Sequence, residues 1–219
     1  MVFTSLAFAT VFSVIFKQSL ADNLPYIMGG IMTYNMIASV LTEGPEIYLS
    51  NAGIISNHAY PFTYYNFEWS FKQLLLFFHN VVVFEIIQTI LLASAHKAIP
   101  IPHWSIVIGL AVVVFNIFCW GGLVCLVAAR YRDLRFLLPY MSQLLMFLTP
   151  VTYQVSLVKG SLLLTLNPIY PFVQMVRAPL MGSAMPLDLW PMALAVSVVG
   201  FLLWFTFFSI FRKRIAFWV

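Results

Sequence analysis

Apolar residues run along this chain in blocks, and the breaks between blocks collect Gly, Pro and charged side chains. Several blocks approach the roughly 20 residues a helix needs to cross a hydrocarbon core about 30 Å thick. The first, Met1 to Phe16, would make a helix of only about 24 Å, so the first span is short. "NLPYIMGGIMTYNMIASVL", Asn23 to Leu41, is the second, with Pro25 suited to the first turn and Gly29 and Gly30 permitting close helix approach. Phe71 to Ala93 is the third span, and Trp104 to Ala128, without a charge, is the fourth. Leu137 to Leu157 is the fifth, with a kink expected at Pro150, and Trp190 to Phe211 is the sixth, followed by "RKR".

The breaks carry as much information as the spans. Between Thr42 and Trp69, the turn-formers Gly44, Pro45, Gly53 and Pro61 surround a short amphipathic piece, Glu46 to Ile55. It is too short to cross and is expected to lie along a surface. Pro100 and Pro102 stiffen the loop "SAHKAIPIPHW". The stretch "KGSLLLTLNPIYPFVQMVRAPLMGSAMPLDLW" is apolar, but Pro168, Pro171, Pro179 and Pro186 cut it into pieces of about ten residues. If it dips in and returns, the positive-inside rule places Lys72, Arg130, Arg132, Arg135, Arg212, Lys213 and Arg214 in the cytoplasm. Lys17, Lys97, Lys159 and Arg177 then lie outside. The expected fold class is an all-α integral membrane protein of six transmembrane helices, the first incomplete, with an outer re-entrant helical hairpin between the fifth and sixth. One domain covers residues 1–219, with a cytoplasmic segment at 42–67 and an external re-entrant region at 158–189.

Composition strengthens this reading: 62% of residues are hydrophobic and 8% charged, against roughly 25% charged in soluble domains. The net charge of +4 comes from dispersed basic residues, which report topology instead of a nucleic-acid patch. Met1 opens directly onto apolar sequence with no basic leader region or A-x-A cleavage site, so the first segment is expected to stay. Cys119 and Cys125 share one apolar run, about 240° apart on a helix, and read as small core residues that do not pair.

Charged residues cluster in "ARYRDLRFLLPY", where Arg130, Arg132 and Arg135 hold a turn in water. Moving one of them to mid-bilayer would cost about 2.5–3.5 kcal/mol. Glu68, Lys72 and His79 form a polar stripe at one end of the third span, expected to carry a boundary salt bridge. Glu85 and Gln88 sit deeper, where an ionisable residue is a candidate for a substrate pathway. His58, His79, His96 and His103 lack metal-ligand spacing. No Gly-x-Ser-x-Gly elbow or Gly-x-x-x-x-Gly-Lys phosphate loop is present, so the chain does not hydrolyse ATP by that route. The aromatic residues suit interfacial belts, helix packing or a sugar-lined conduit.

Four ordered blocks, "ADNLPYIMGGIMTYNMIASVLTEGPEIYLSNAGII", "FFHNVVVF", "ARYRDLRFLLPYMSQLLMFLTPVTY" and "LNPIYPFVQMVRAPLMG", resemble the polysaccharide-export permeases of ABC transporters. Those proteins move O-antigen, capsule or teichoic-acid chains. The resemblance spans nearly the whole chain, and its specific parts are the "RYRDL" to "TPV" and "LNP" to "RAPL" blocks. It implies a homodimer in the bacterial cytoplasmic (inner) membrane, docked to two ABC ATPase subunits that bind ATP and Mg, with a lipid-linked polysaccharide moved outward. No cofactor, metal or catalytic residue is expected in this chain itself. Glu46 to Ile55 matches the family's coupling helix, with Glu46, Tyr48, Asn51 and Ile54 as docking residues. Arg130, Arg132 and Arg135 are secondary contacts or topology anchors. Family members usually carry a basic amphipathic helix before the first span, whereas this sequence starts within that span and is expected to be short there. They also often carry Lys after the coupling piece, where this chain has Ser56, Asn57 and His58, so its electrostatic docking is expected to differ.

Two other classes compete with export. An intramembrane enzyme acting on a lipid-linked glycan would use His79 and Glu85 as acid and base, but the pair lies about 240° apart on one helix. A channel or assembly subunit with no transport cycle is the other.

Overall fold

The computed structural model describes residues 2–17, 19–57, 60–155, 164 and 166–219. Every regular element among them is helical, and four segments are long and apolar enough to cross a membrane: Leu20–Thr42, Phe62–Ser94, Ile106–Arg130 and Leu187–Trp218. Two shorter apolar helices accompany them. By this measure the chain is a membrane protein.

The bundle is organised around α2 (Leu20–Thr42), which touches α1 (Val2–Phe16), α5 (Phe62–Ser94), α6 (Ile106–Arg130) and α7 (Leu134–Leu148). It also touches α8 (Tyr170–Leu180). Of the most apolar window of α2, 78% is buried, against 11% for the last long segment, so α2 is the interior helix and the last segment faces outward. Ser19 starts α2, its hydroxyl accepting the Asp22 N–H at 3.3 Å. The helix thus begins earlier than the sequence reading had it, and Pro25 falls inside it instead of in the first turn. Gly30 allows the close approach expected of it: a Cβ there would fall 2.6 Å from the Val151 carbonyl oxygen.

The break after α2 is shorter than expected. The surface piece forms two helices, α3 (Glu46–Leu49) and α4 (Ala52–Asn57), and α5 already begins at Phe62. Residues 62–67 therefore belong to α5. Polar residues there do not end the helix because neighbouring helices meet them: Asn66 Nδ2 donates to the Phe118 carbonyl at 2.8 Å, and Trp69 packs over Gly121. The 33 residues of α5 extend about 50 Å, beyond a hydrocarbon core alone.

The expected fifth span is also corrected. Pro150 ends the helix instead of kinking it: α7 stops at Leu148, and Thr149 is extended (φ −94°, ψ 136°), as a residue preceding proline prefers. The stretch 156–163, including Lys159 of the external charge count, lies outside the described residues. Asn167 sits beside the end of α7, donating to the Leu148 carbonyl and Thr149 Oγ1, while its own oxygen accepts the Ile169 N–H at 2.9 Å. From there α8 runs about 16 Å to the loop before α6, where the Pro179 carbonyl accepts the His103 N–H at 2.8 Å.

The last long helix, α9 (Trp190–Phe211), packs chiefly on α6 through two reciprocal insertions. Trp204 lies over Gly122 and Trp120 over Gly200, and a Cβ at either glycine would fall 2.5 Å from the facing indole nitrogen. Without a hydrophobic drive between helices in lipid, such small-residue contacts decide which faces meet. Gly200→Val should lower stability by about 1–3 kcal/mol. A reduced thermal midpoint in detergent, partly restored by adding Trp120→Ala, is the expected result.

Candidate functional site

Two ion pairs mark opposite ends of the α2–α5 pair. At one end Lys97 meets Asp22 at 2.6 Å. At the other Lys72 meets Glu43 at 3.1 Å, and Gln73 Nε2 donates to the same carboxylate oxygen at 2.8 Å. Lys72 thus pairs across helices with Glu43, not along its own helix with Glu68. This second end also carries α3, α4, the arginine turn and the C-terminal residues.

The sequence-selected docking residues separate into outward and inward sets. Glu46 and Asn51 are partly exposed, and Ile54 is 46% exposed. Asn51 Nδ2 donates to the Ile47 carbonyl at 2.8 Å, holding the turn between α3 and α4. Tyr48 points inward and is 1% exposed, edge-on to Phe62, so it anchors the segment to the bundle instead of presenting to a partner. Burial holds its phenol well above the ordinary value. Arg135 approaches Glu46 at 3.8 Å and lies 4.7 Å from the Phe136 ring centroid. Arg130 stands over the Tyr131 and Trp218 rings, and Arg132 Nη2 donates to the Trp218 carbonyl at 3.0 Å. The three arginines are therefore engaged within the chain, one with the surface helices and two with its C-terminal turn.

Glu85 and Gln88 lie in the C-terminal half of α5. Gln88 is 1% exposed and lines a narrow seam with Leu24, Pro25 and Met28 of α2. Neither Gln88 amide atom nor Glu85 Oε1 has a hydrogen-bond partner among the described residues. His79 is exposed on the same helix, and no hydrogen bond joins it to Glu85 among those residues.

Arg177 was expected among the external cations, yet it is 1% exposed within the bundle. Its Nη1 donates to the Pro150 carbonyl at 2.9 Å and the Val151 carbonyl at 3.4 Å. Nε donates to Gln174 Oε1 at 3.3 Å, and the guanidinium lies 3.9 Å from the Tyr26 ring centroid. No carboxylate among the described residues is within ion-pair distance. The signal available beforehand was an arginine embedded in an apolar, proline-broken piece, where an ionisable group is expensive and needs partners.

Two apolar cavities flank this core. One of about 460 Å³ opens between α2, α6, α8 and α9, with Tyr34, Asn116, Trp120 and Phe172 in its wall. Asn116 Nδ2 donates to Ser197 Oγ at 2.7 Å and so ties α6 to α9 beside that cavity. The other, about 840 Å³, lies between α5 and α6, with Phe71, Phe77 and Phe115 lining it. Among the described residues no group of three or more His, Cys, Asp or Glu side chains is placed to hold a metal ion. Cys119 and Cys125 are buried free thiols. No protein-family model matches the chain, and no curated protein matches it.

Arg177→Met should destabilise the protein by about 1–3 kcal/mol, because the Pro150 and Val151 carbonyls lose a buried donor. Arg177→Lys should not restore it, since an ammonium lacks the guanidinium fork. Thermal unfolding in detergent measures both, and a Met variant as stable as the parent would show that the Arg177 bonds to the Pro150 and Val151 carbonyls do not hold the bundle.

Proposed function

We propose that this chain is the membrane-spanning permease subunit of an ATP-driven exporter moving a lipid-linked polysaccharide across the bacterial cytoplasmic membrane. The observation that carries the reading is the position of α3 and α4. They lie at the end of the bundle that also holds the arginine turn and the C-terminal residues, with Glu46 tied to Arg135. This supports the resemblance to polysaccharide-export permeases and its assignment of a coupling segment there. The proposed partners are an ABC ATPase that binds ATP and Mg, and a second copy of this chain.

In that assembly, Glu46, Asn51 and Ile54 meet the ATPase while Tyr48 fixes α3 to the bundle. A displacement of α3 therefore passes directly into α2, only a few residues away along the chain. Because α2 contacts α1, α5, α6, α7 and α8, moving it changes the packing along a path between two permease copies. Glu85 and Gln88, in the C-terminal half of α5 with polar atoms that have no partner among the described residues, are proposed residues of that path.

The proposed topology has six spans, with α1 and α7 as the short members, and α8 as one arm of an external re-entrant hairpin. Its support is the length of α8, about half a hydrocarbon core, and its ends: one beside the terminus of α7, the other beside His103.

Replacing Glu46 and Asn51 together with Ala should reduce ATPase co-purification at least severalfold while leaving membrane insertion intact; undiminished pull-down would remove the docking assignment. A reporter fused after Val219 should respond as cytoplasmic and one inserted at Ser183 as external. Finding both on one side would sink the re-entrant topology.

A further inference from the structure

The geometry points to a binding site for anionic phospholipid headgroups at the turn Arg212–Arg214, where α9 ends. The seven cations assigned to the cytoplasmic side face four carboxylates at the same end, Glu43, Glu46, Glu68 and Asp133. Glu43 is taken by Lys72 and Glu46 by Arg135. Arg130 and Arg132 are turned onto Trp218. Arg212, Lys213 and Arg214 are all exposed, and no carboxylate among the described residues pairs with them. Of the seven, Arg212, Lys213 and Arg214 are the cations whose side chains have no carboxylate, ring or carbonyl contact among the described residues, and they sit together at one turn.

That turn is held in place. The short helix that follows it, α10 (Ile215–Trp218), buries Ile215 completely, and the Phe211 and Trp218 rings lie 5.6 Å apart. With Arg130 over the Trp218 ring and Arg132 on its carbonyl, the tail is pinned against α6. The three cations are thus fixed on the outer side of a structured turn, where less ordering is required on binding than from a free tail.

The surroundings identify the anion's source. Arg212 directly follows a 22-residue apolar helix whose Phe205 and Ile210 are exposed, so the next residues fall at headgroup depth. Phe217, 87% exposed beyond the cations, supplies an aromatic group at the same interface. Cations immediately after a spanning helix, beside an exposed aromatic ring, fit the phosphate of an acidic lipid with its acyl chains along α9. A protein surface would have no need of the apolar flank.

The test uses the full chain in nanodiscs of equimolar phosphatidylglycerol and phosphatidylcholine, with retained lipid read by native mass spectrometry. The parent should retain phosphatidylglycerol selectively, and the selectivity should fall as salt rises. R212Q/K213Q/R214Q should reduce it by about tenfold or more, whereas R212K/K213R/R214K should keep it. Excess inorganic phosphate should not displace the lipid. Equal retention of the two lipids by the parent, salt-independent selectivity or an unchanged Gln triple variant would each overturn the site. Displacement by phosphate would reassign it to a free anion. Loss of ATPase co-purification with unaltered lipid retention would give the patch to a protein partner.

Discussion

In a bilayer interior every backbone carbonyl and amide must find its partner within the protein, because no water is there to supply one. This chain interrupts a helix at Pro150 and thereby releases carbonyls that a continuous α7 would have satisfied. Arg177 answers that need, reaching from α8 with a planar guanidinium that donates to both the Pro150 and Val151 oxygens. Its charge meets carbonyl dipoles and the face of Tyr26, with no acid in ion-pair distance among the described residues. Gly30 matters for the same reason, since any side chain there would occupy the space where Val151 and Arg177 meet α2. A break, a cation and a bare backbone position thus form one unit that sets where α7 stops and α8 packs.

The centrality of α2 follows from what it lacks. Gly29, Gly30, Ala38 and Ser39 leave little side-chain bulk, so neighbouring helices approach it closely from several sides. Its covalent continuation into α3, anchored by buried Tyr48, connects the most enclosed helix to the most peripheral segment. In the exporter proposed above, this connection makes a surface event a bundle event. Gln88 borders α2, and its amide atoms have no hydrogen-bond partner among the described residues, so repacking there breaks none of their own.

Charge is divided by role. The arginines of the turn after α6 are consumed by the molecule itself, Arg135 on Glu46 and the other two on Trp218. These are exposed or half-exposed contacts, individually weak, and they orient the surface helices and tail more than they stabilise the fold. Arg212–Arg214, by contrast, are exposed with no such contact among the described residues. Arg130, Arg132 and Arg135, read in one dimension as topology anchors or secondary contacts, also, in three, bracket the surface helices and the C-terminal turn.

Apolar block length and charge spacing were enough to determine that this is an all-helical membrane protein, and the helix at Trp190–Phe211 lies where its block does, because continuous apolarity is a local property. The surface segment after α2 was equally legible from its turn-formers and polarity, though its division into α3 and α4 was not. Residues whose role depends on a neighbour's backbone escaped that reading. The early start of α5 rests on Asn66 finding the Phe118 carbonyl, the inward turn of Tyr48 on a pocket beside Phe62, and the burial of Arg177 on carbonyls freed 26 residues or more earlier. Sequence shows which groups are costly to bury; only the packed structure decides which of them has a partner, and hence which are buried.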